Sequence, residues 1–155
     1  MKILVFSDSH GSVWFMQAIV KRERPDLILH LGDHDRDCVG AFASVPVVKV
    51  RGNCDYGSDE ELERILDFGT TKIWMCHGHR YNVKSGLSAL LAKGKELGAT
   101  ILLYGHTHRG YLSKEPGLIV MNPGTPEISY GVIEMENDLV TDVRLEDAAA
   151  DLAFM

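Results

Sequence analysis

The sequence predicts an α/β fold, and two observations predict it. Short apolar runs alternate with helical stretches through the first two-thirds, which implies a largely parallel sheet. The final third is strand-rich, which implies a second sheet or an extension packed on the first. The chain of 155 residues is one domain's worth, so residues 1–155 read as a single domain.

Residues 2–7 (KILVFS) form a short apolar run, the mark of a strand buried on both faces. Ser12 is placed to cap a helix over 13–24, with Val13, Met16 and Val20 on one face and basic residues at its end. Pro25 stops it. A second strand covers 26–31, a short helix 35–44 and a third strand 46–50. Residues 59–76 are ambiguous between a helix and a hairpin, and Gly69-Thr70-Thr71 favours a hairpin ending in KIWMC (72–76). Leu87, Leu90, Leu91 and Leu97 set a helix over 86–97, with Gly98 as its stop. TILLY (100–104) is another buried strand. Strands then follow at 111–114, 118–121, 129–135 and 139–145, and AAADLAFM (148–155) reads as a docking helix or a frayed tail. Trp14 and Trp74 lie in apolar runs and read as core, and His30 reads as structural.

Composition narrows the function classes. Apolar residues make up 45% and charged residues 25%, which excludes a disordered chain. The net charge of −6 speaks against long nucleic acid and anionic membranes as partners. No stretch reaches the roughly 18 apolar residues of a spanning helix, and the N-terminal run is too short for a signal peptide. Cys38, Cys54 and Cys76 form no CxxC pair, which argues against a disulfide framework and points to a reducing cytoplasm. The sequence leaves a homo-oligomer open.

The chemistry gathers at the strand ends. Asp8-Ser9-His10-Gly11 follows the first strand, Gly32-Asp33 the second and Gly52-Asn53-Cys54-Asp55 the third. His77-Gly78-His79 follows KIWMC, and Gly105-His106-Thr107-His108 follows TILLY. Ligands of open parallel sheets bind beyond the carboxyl ends of the strands, so these groups converge. The donors Asp8, His10, Asp33, Asn53, His77, His106 and His108 mix carboxylates, a carboxamide and imidazoles. That set suits Mn²⁺, Fe²⁺, Zn²⁺, Ni²⁺ or Co²⁺ better than Ca²⁺. It is too large for one catalytic ion and suits two, with Asp33 as the shared carboxylate. Two divalent cations and two carboxylates leave a local charge of about +2, which draws an anionic substrate such as a phosphate ester.

The ordered set D-x-H, G-D, G-N-x-D, H and G-H-x-H resembles the calcineurin-like metallophosphoesterase superfamily, and most closely its small YfcE-like phosphodiesterase branch. The resemblance implies a four-layer αββα sandwich of two mixed sheets, the metallo-dependent phosphatase fold. It implies one ion on Asp8, His10, Asp33 and His108, and a second on Asp33, Asn53, His77 and His106. Mn²⁺ is the first expectation for both. It further implies hydrolysis of a phosphodiester by in-line attack of a metal-bridging hydroxide.

Two positions depart from the family. Cys54 stands where most members have a histidine implicated in protonating the leaving group, with Asp55 in the usual partner place. A thiol of pKa about 8.5 is a poorer proton donor, so good leaving groups such as aryl phosphodiesters should suffer least. Arg36 stands where an Asp is usual in G-D-x-x-D-R. His34 and His79 adjoin ligands, and Arg80 and Arg109 follow ligand motifs. The alternatives are a phosphomonoesterase or nuclease, and a protein-interaction scaffold of the same fold, as in the retromer subunit. Intact donors favour the enzyme.

Overall fold

A computed structural model describes residues 1–148. Ten strands and two α-helices make up its regular structure. The reading of the C-terminal stretch falls, from residue 149 on, outside the described residues.

The first sheet has the order β10-β9-β1-β2-β3, from β1 (Lys2–Phe6), β2 (Leu27–His30), β3 (Val47–Lys49), β9 (Ser129–Glu136) and β10 (Leu139–Asp147). The β1, β2 and β3 strands run parallel, and β9 and β10 join antiparallel. The second sheet has the order β4-β5-β6-β8-β7, from β4 (Glu63–Asp67), β5 (Lys72–Cys76), β6 (Ile101–Leu103), β7 (Tyr111–Glu115) and β8 (Leu118–Asn122). Here β5, β6 and β8 are parallel and both edge strands are antiparallel. The final third therefore supplies strands to both sheets.

Side-chain alternation builds the layers. Ile3, Val5, Leu29, Ile73, Met75, Ile101, Leu103 and Ile133 point between the sheets and form one core. Their neighbours Leu4, Phe6 and Ile28 turn outward to Met16 and Ile19 of α1 (Val13–Glu23). Trp74, Cys76 and Leu102 turn outward to Leu90 of α2 (Ser88–Glu96). Three apolar interfaces between four layers give the αββα sandwich. Both faces of the central strands are buried, which is why they read as continuous apolar runs rather than as alternation.

Several local readings are corrected. The helix at 35–44 is only a 3₁₀ turn at Asp35–Cys38. Trp14 is 58% exposed, because α1 turns Met16 and Ile19 to the sheet and leaves position 14 on the far face; Trp74 is fully buried. Ser12 adjoins α1 but its hydroxyl caps nothing, donating instead to Glu127 at 2.7 Å. Residues 59–76 resolve as the β4–β5 hairpin. Gly98 does stop α2, at φ +73°. No helix among the described residues is long and apolar enough to cross a membrane.

Candidate metal centre

Strands β1, β2, β3, β5 and β6 release their chains at one edge of the sandwich, and the loops that follow carry the donors. Asp8, His10, Asp33, His34, His106 and His108 all adopt left-handed backbone, with φ of 54°, 41°, 62°, 66°, 71° and 63°. Such residues turn sharply inward after a strand, at an energetic cost that the surrounding structure must hold. Close approach also demands glycine: a Cβ on Gly52 would collide with Asp33 Oδ1, and one on Gly105 with Ser7 Oγ.

The donors fall into two overlapping sets. Ligating atoms of Asp8, His10, Asp33 and His108 all lie within 4.8 Å of one another, as do those of Asp33, His77 and His106. Asp33 belongs to both. Its Oδ2 is 3.4 Å from His77 Nε2 and 3.7 Å from His10 Nε2. Asp8 Oδ1 is 3.3 Å from His108 Nε2 and 3.7 Å from His77 Nε2, yet has no hydrogen-bond partner although it is buried. The other oxygen of Asp8 is satisfied, accepting from Ser7 Oγ at 2.7 Å and from the His106 amide at 3.0 Å.

Both carboxylates are about as buried as side chains become, at 1% and 2% exposure. Among the described residues their ionic neighbours are histidines alone, without Lys or Arg. Buried charges of one sign need counter-charge, and imidazoles converging on them supply ligand atoms for a cation. Burial alone would raise the Asp33 carboxyl, but the His77 ring and the Cys54 amide, which donates to Oδ1 at 2.9 Å, hold it well below the carboxylate range. Burial opposes a charge on His77, but Asp33 and Asp8 outweigh it and raise that imidazole. His77 Nδ1 meets the Leu31 carbonyl at 2.9 Å. Donating there fixes the tautomer that leaves Nε2 free to coordinate. His77 Nε2 and His106 Nδ1 face each other at 3.2 Å. Desolvation, the His77 charge and Lys84 lower His106, favouring the neutral ring that a metal requires.

The remaining candidates are placed differently. Asn53 is exposed on its loop, its Nδ2 3.6 Å from Cys54 Sγ. The Cys54 thiol is raised by desolvation and by the Asp33 charge, so it stays protonated. Asp55 is buried and gives both oxygens to the backbone. Oδ2 accepts from Asp33 N at 2.8 Å and Gly52 N at 2.7 Å, and Oδ1 from Asp35 N at 3.0 Å. It ties the loop after β2 to the loop after β3. The His79 ring lies 5.4 Å from His77, and the His34 ring 4.7 Å from His10.

The sequence marked His30 as structural without showing which contacts it and its neighbours make. Buried His30 accepts from Gly32 N at Nδ1 (3.2 Å) and meets Ser9 Oγ at Nε2 (2.9 Å). Ser9 in turn donates to Asp37 at 2.8 Å. Asn122 donates to the Gly105 carbonyl at 3.2 Å and to Thr107 Oγ1 at 2.9 Å, bracing the loop that carries His106 and His108. Its place just before the Pro123-Gly124 turn was the available signal.

Comparison with known proteins fits this geometry. The calcineurin-like phosphoesterase superfamily domain matches residues 1–138. YsnB of Bacillus subtilis, named as a probable metallophosphoesterase, is 35% identical over 160 residues, covering 97% of this chain and 94% of that protein. An archaeal phosphodiesterase structure superposes with a TM-score of 0.72 at 19% identity, over 95% of this chain and 99% of that one. Vps29 of Entamoeba histolytica, solved with Zn²⁺, gives 0.73 at 23% identity, over 96% and 99%. The two structures speak for the fold. With its family match spanning most of the sequence and its donors gathered at one edge, the chain belongs to the calcineurin-like phosphoesterase superfamily.

Proposed function

We propose that the protein is a dinuclear-metal phosphodiesterase. One observation carries the proposal: two buried carboxylates, with no Lys or Arg partner among the described residues, sit among imidazoles in two donor sets that share Asp33. Asp8, His10, Asp33 and His108 would hold one divalent ion. Asp33, His77 and His106 would hold the other, with Asn53 completing it from the rim. Such ions, Mn²⁺ first and Zn²⁺, Ni²⁺, Fe²⁺ or Co²⁺ as alternatives, supply acidification of water and charge neutralisation at a phosphoryl group.

The chain's own residues set the rest. The Leu31 carbonyl keeps the His77 imidazole aimed by accepting from its Nδ1, and Asp55 keeps Asp33 in place. Cys54, held as a thiol, is a poor proton donor to a departing alkoxide. Diesters with acidic leaving groups are therefore the favoured substrates. We place the protein in the cytoplasm, since Cys38, Cys54 and Cys76 form no CxxC pair and no disulfide framework.

The test is metal analysis of the purified protein together with hydrolysis of bis(4-nitrophenyl) phosphate in added Mn²⁺. We expect close to two metal equivalents and turnover that Asp33→Asn abolishes. A protein that takes up no metal and turns over nothing would be a scaffold of the same fold rather than an enzyme.

A further inference from the structure

Next to the donor cluster lies an open cavity of about 520 Å³, lined by Lys84, Tyr104, Thr107, Arg109, Gly110 and Tyr111. Thr107 and Arg109 alternate along the chain with His106 and His108, so one loop serves both the cluster and the cavity. The volume falls within the range of roughly 300–1,000 Å³ that holds small molecules, well beyond what a phosphoryl group occupies.

The cations of this chain divide into those that meet a carboxylate and those, Lys21, Arg24 and Lys95 among them, that form no ion pair among the described residues. Lys49, Arg64, Arg80, Lys114 and Arg144 each meet a carboxylate. Lys84 and Arg109 form no ion pair among the described residues, although the chain carries a net charge of −6. Two unneutralised cations on one cavity are a receptor for an anion. Arg109 offers a planar fork that matches carboxylate or phosphate oxygens, and Lys84 a mobile point charge. Tyr104, 3% exposed, and Tyr111, 43% exposed, give the same cavity aromatic walls for a carbon skeleton.

We propose that this cavity receives the second substituent of the phosphodiester, and that this substituent bears its own anionic group, a carboxylate or a phosphate, held by Lys84 and Arg109. The inference rests on the phosphodiesterase reading and names the substrate class of that site.

The test is equilibrium binding of three methylphosphonate monoesters, ethyl, 2-carboxyethyl and 2-phosphonooxyethyl, titrated into the full chain with and without Mn²⁺. We expect at least one charged ester to bind about fivefold more tightly than the ethyl ester, as two partly exposed charge contacts give. The tighter of the two identifies the anion. In Lys84→Met and in Arg109→Gln the ratio should fall toward one through loss of charged-ester affinity. Both side chains are exposed, and thermal unfolding checks that the variants fold. The proposal fails if wild type binds all three alike, or if its preference survives both substitutions. Hydrolysis of bis(4-nitrophenyl) phosphate, run alongside, separates the two claims. A preference without turnover refutes the phosphodiesterase and leaves the anion site, whereas turnover without preference refutes the anion site alone.

Discussion

Asp55→Ala should loosen the whole edge of the sandwich without touching a ligand atom. The Asp55 carboxylate accepts from three buried or nearly buried amides, those of Asp33, Asp35 and Gly52, at 2.8, 3.0 and 2.7 Å. Hydrogen bonds to a charged acceptor are worth about 1.5–3 kcal/mol each, and an abandoned buried donor costs about 1–3 kcal/mol. Removing the buried charge returns part of this through relieved desolvation, and water satisfies some of the donors. A net loss of about 3–5 kcal/mol remains. With a urea slope of about 2 kcal/mol/M, the midpoint should fall by roughly 2 M. Asp55→Asn should lie between the two: its oxygen can keep the pair of bonds made by Oδ2, while its NH₂ faces the Asp35 amide with nothing to accept. Urea unfolding followed by circular dichroism reads the stability, and metal stoichiometry reads the site, since the Asp33 amide is one of the three donors. If Asp55→Ala loses less than about 1 kcal/mol and still binds two metals, Asp55 does not hold these loops.

His30 gives a pH signature. Burial lowers its pKa to about 4 from 6.5, so below pH 6.5 the unfolded chain binds a proton that the folded chain refuses. Stability should fall by about 3 kcal/mol between pH 6.5 and pH 4, and the pH slope measured in His30→Asn minus that of wild type should show its removal. Gly52→Ala would drive a Cβ into Asp33 Oδ1 and sit 2.6 Å from the Asp33 amide. Bound metal and hydrolysis should drop at least about tenfold while far-ultraviolet dichroism is kept, and an unaffected enzyme would contradict the close approach. Cys54→His should raise the rate on alkyl diesters more than on aryl diesters, by roughly tenfold or more. Equal gains on both would mean that leaving-group protonation is not what Cys54 lacks.

The strands were legible because both faces of the central ones are buried, so Ile3-Leu4-Val5-Phe6 and Ile101-Leu102-Leu103 announce themselves as apolar runs. The donors were legible because each follows such a run beside a glycine. Continuous runs do not say which residues meet the other sheet and which meet a helix. That division, Ile3 and Val5 against Leu4 and Phe6, emerges only once the sheets are stacked. Position 14 shows the same limit on a helix, where the apolar face is wider than the buried one. Asp55 was legible as a member of the site but not as an anchor, since its partners lie 3 to 22 residues away and are backbone groups common to every sequence. The His30–Ser9–Asp37 chain was hidden because its side chains lie 21 and 28 residues apart and meet only once the strands are paired.

The left-handed backbone at Asp8, His10, Asp33, His106 and His108 sets folding against chemistry at these positions. Glycine at any of them would relieve local strain while erasing a donor. Selecting this chain for heat tolerance alone would thus enrich inert descendants, because the substitutions that calm the backbone are those that empty the metal shell. Directed evolution toward a hardier catalyst must screen turnover at every round and seek its gains in the sheets and helices beneath.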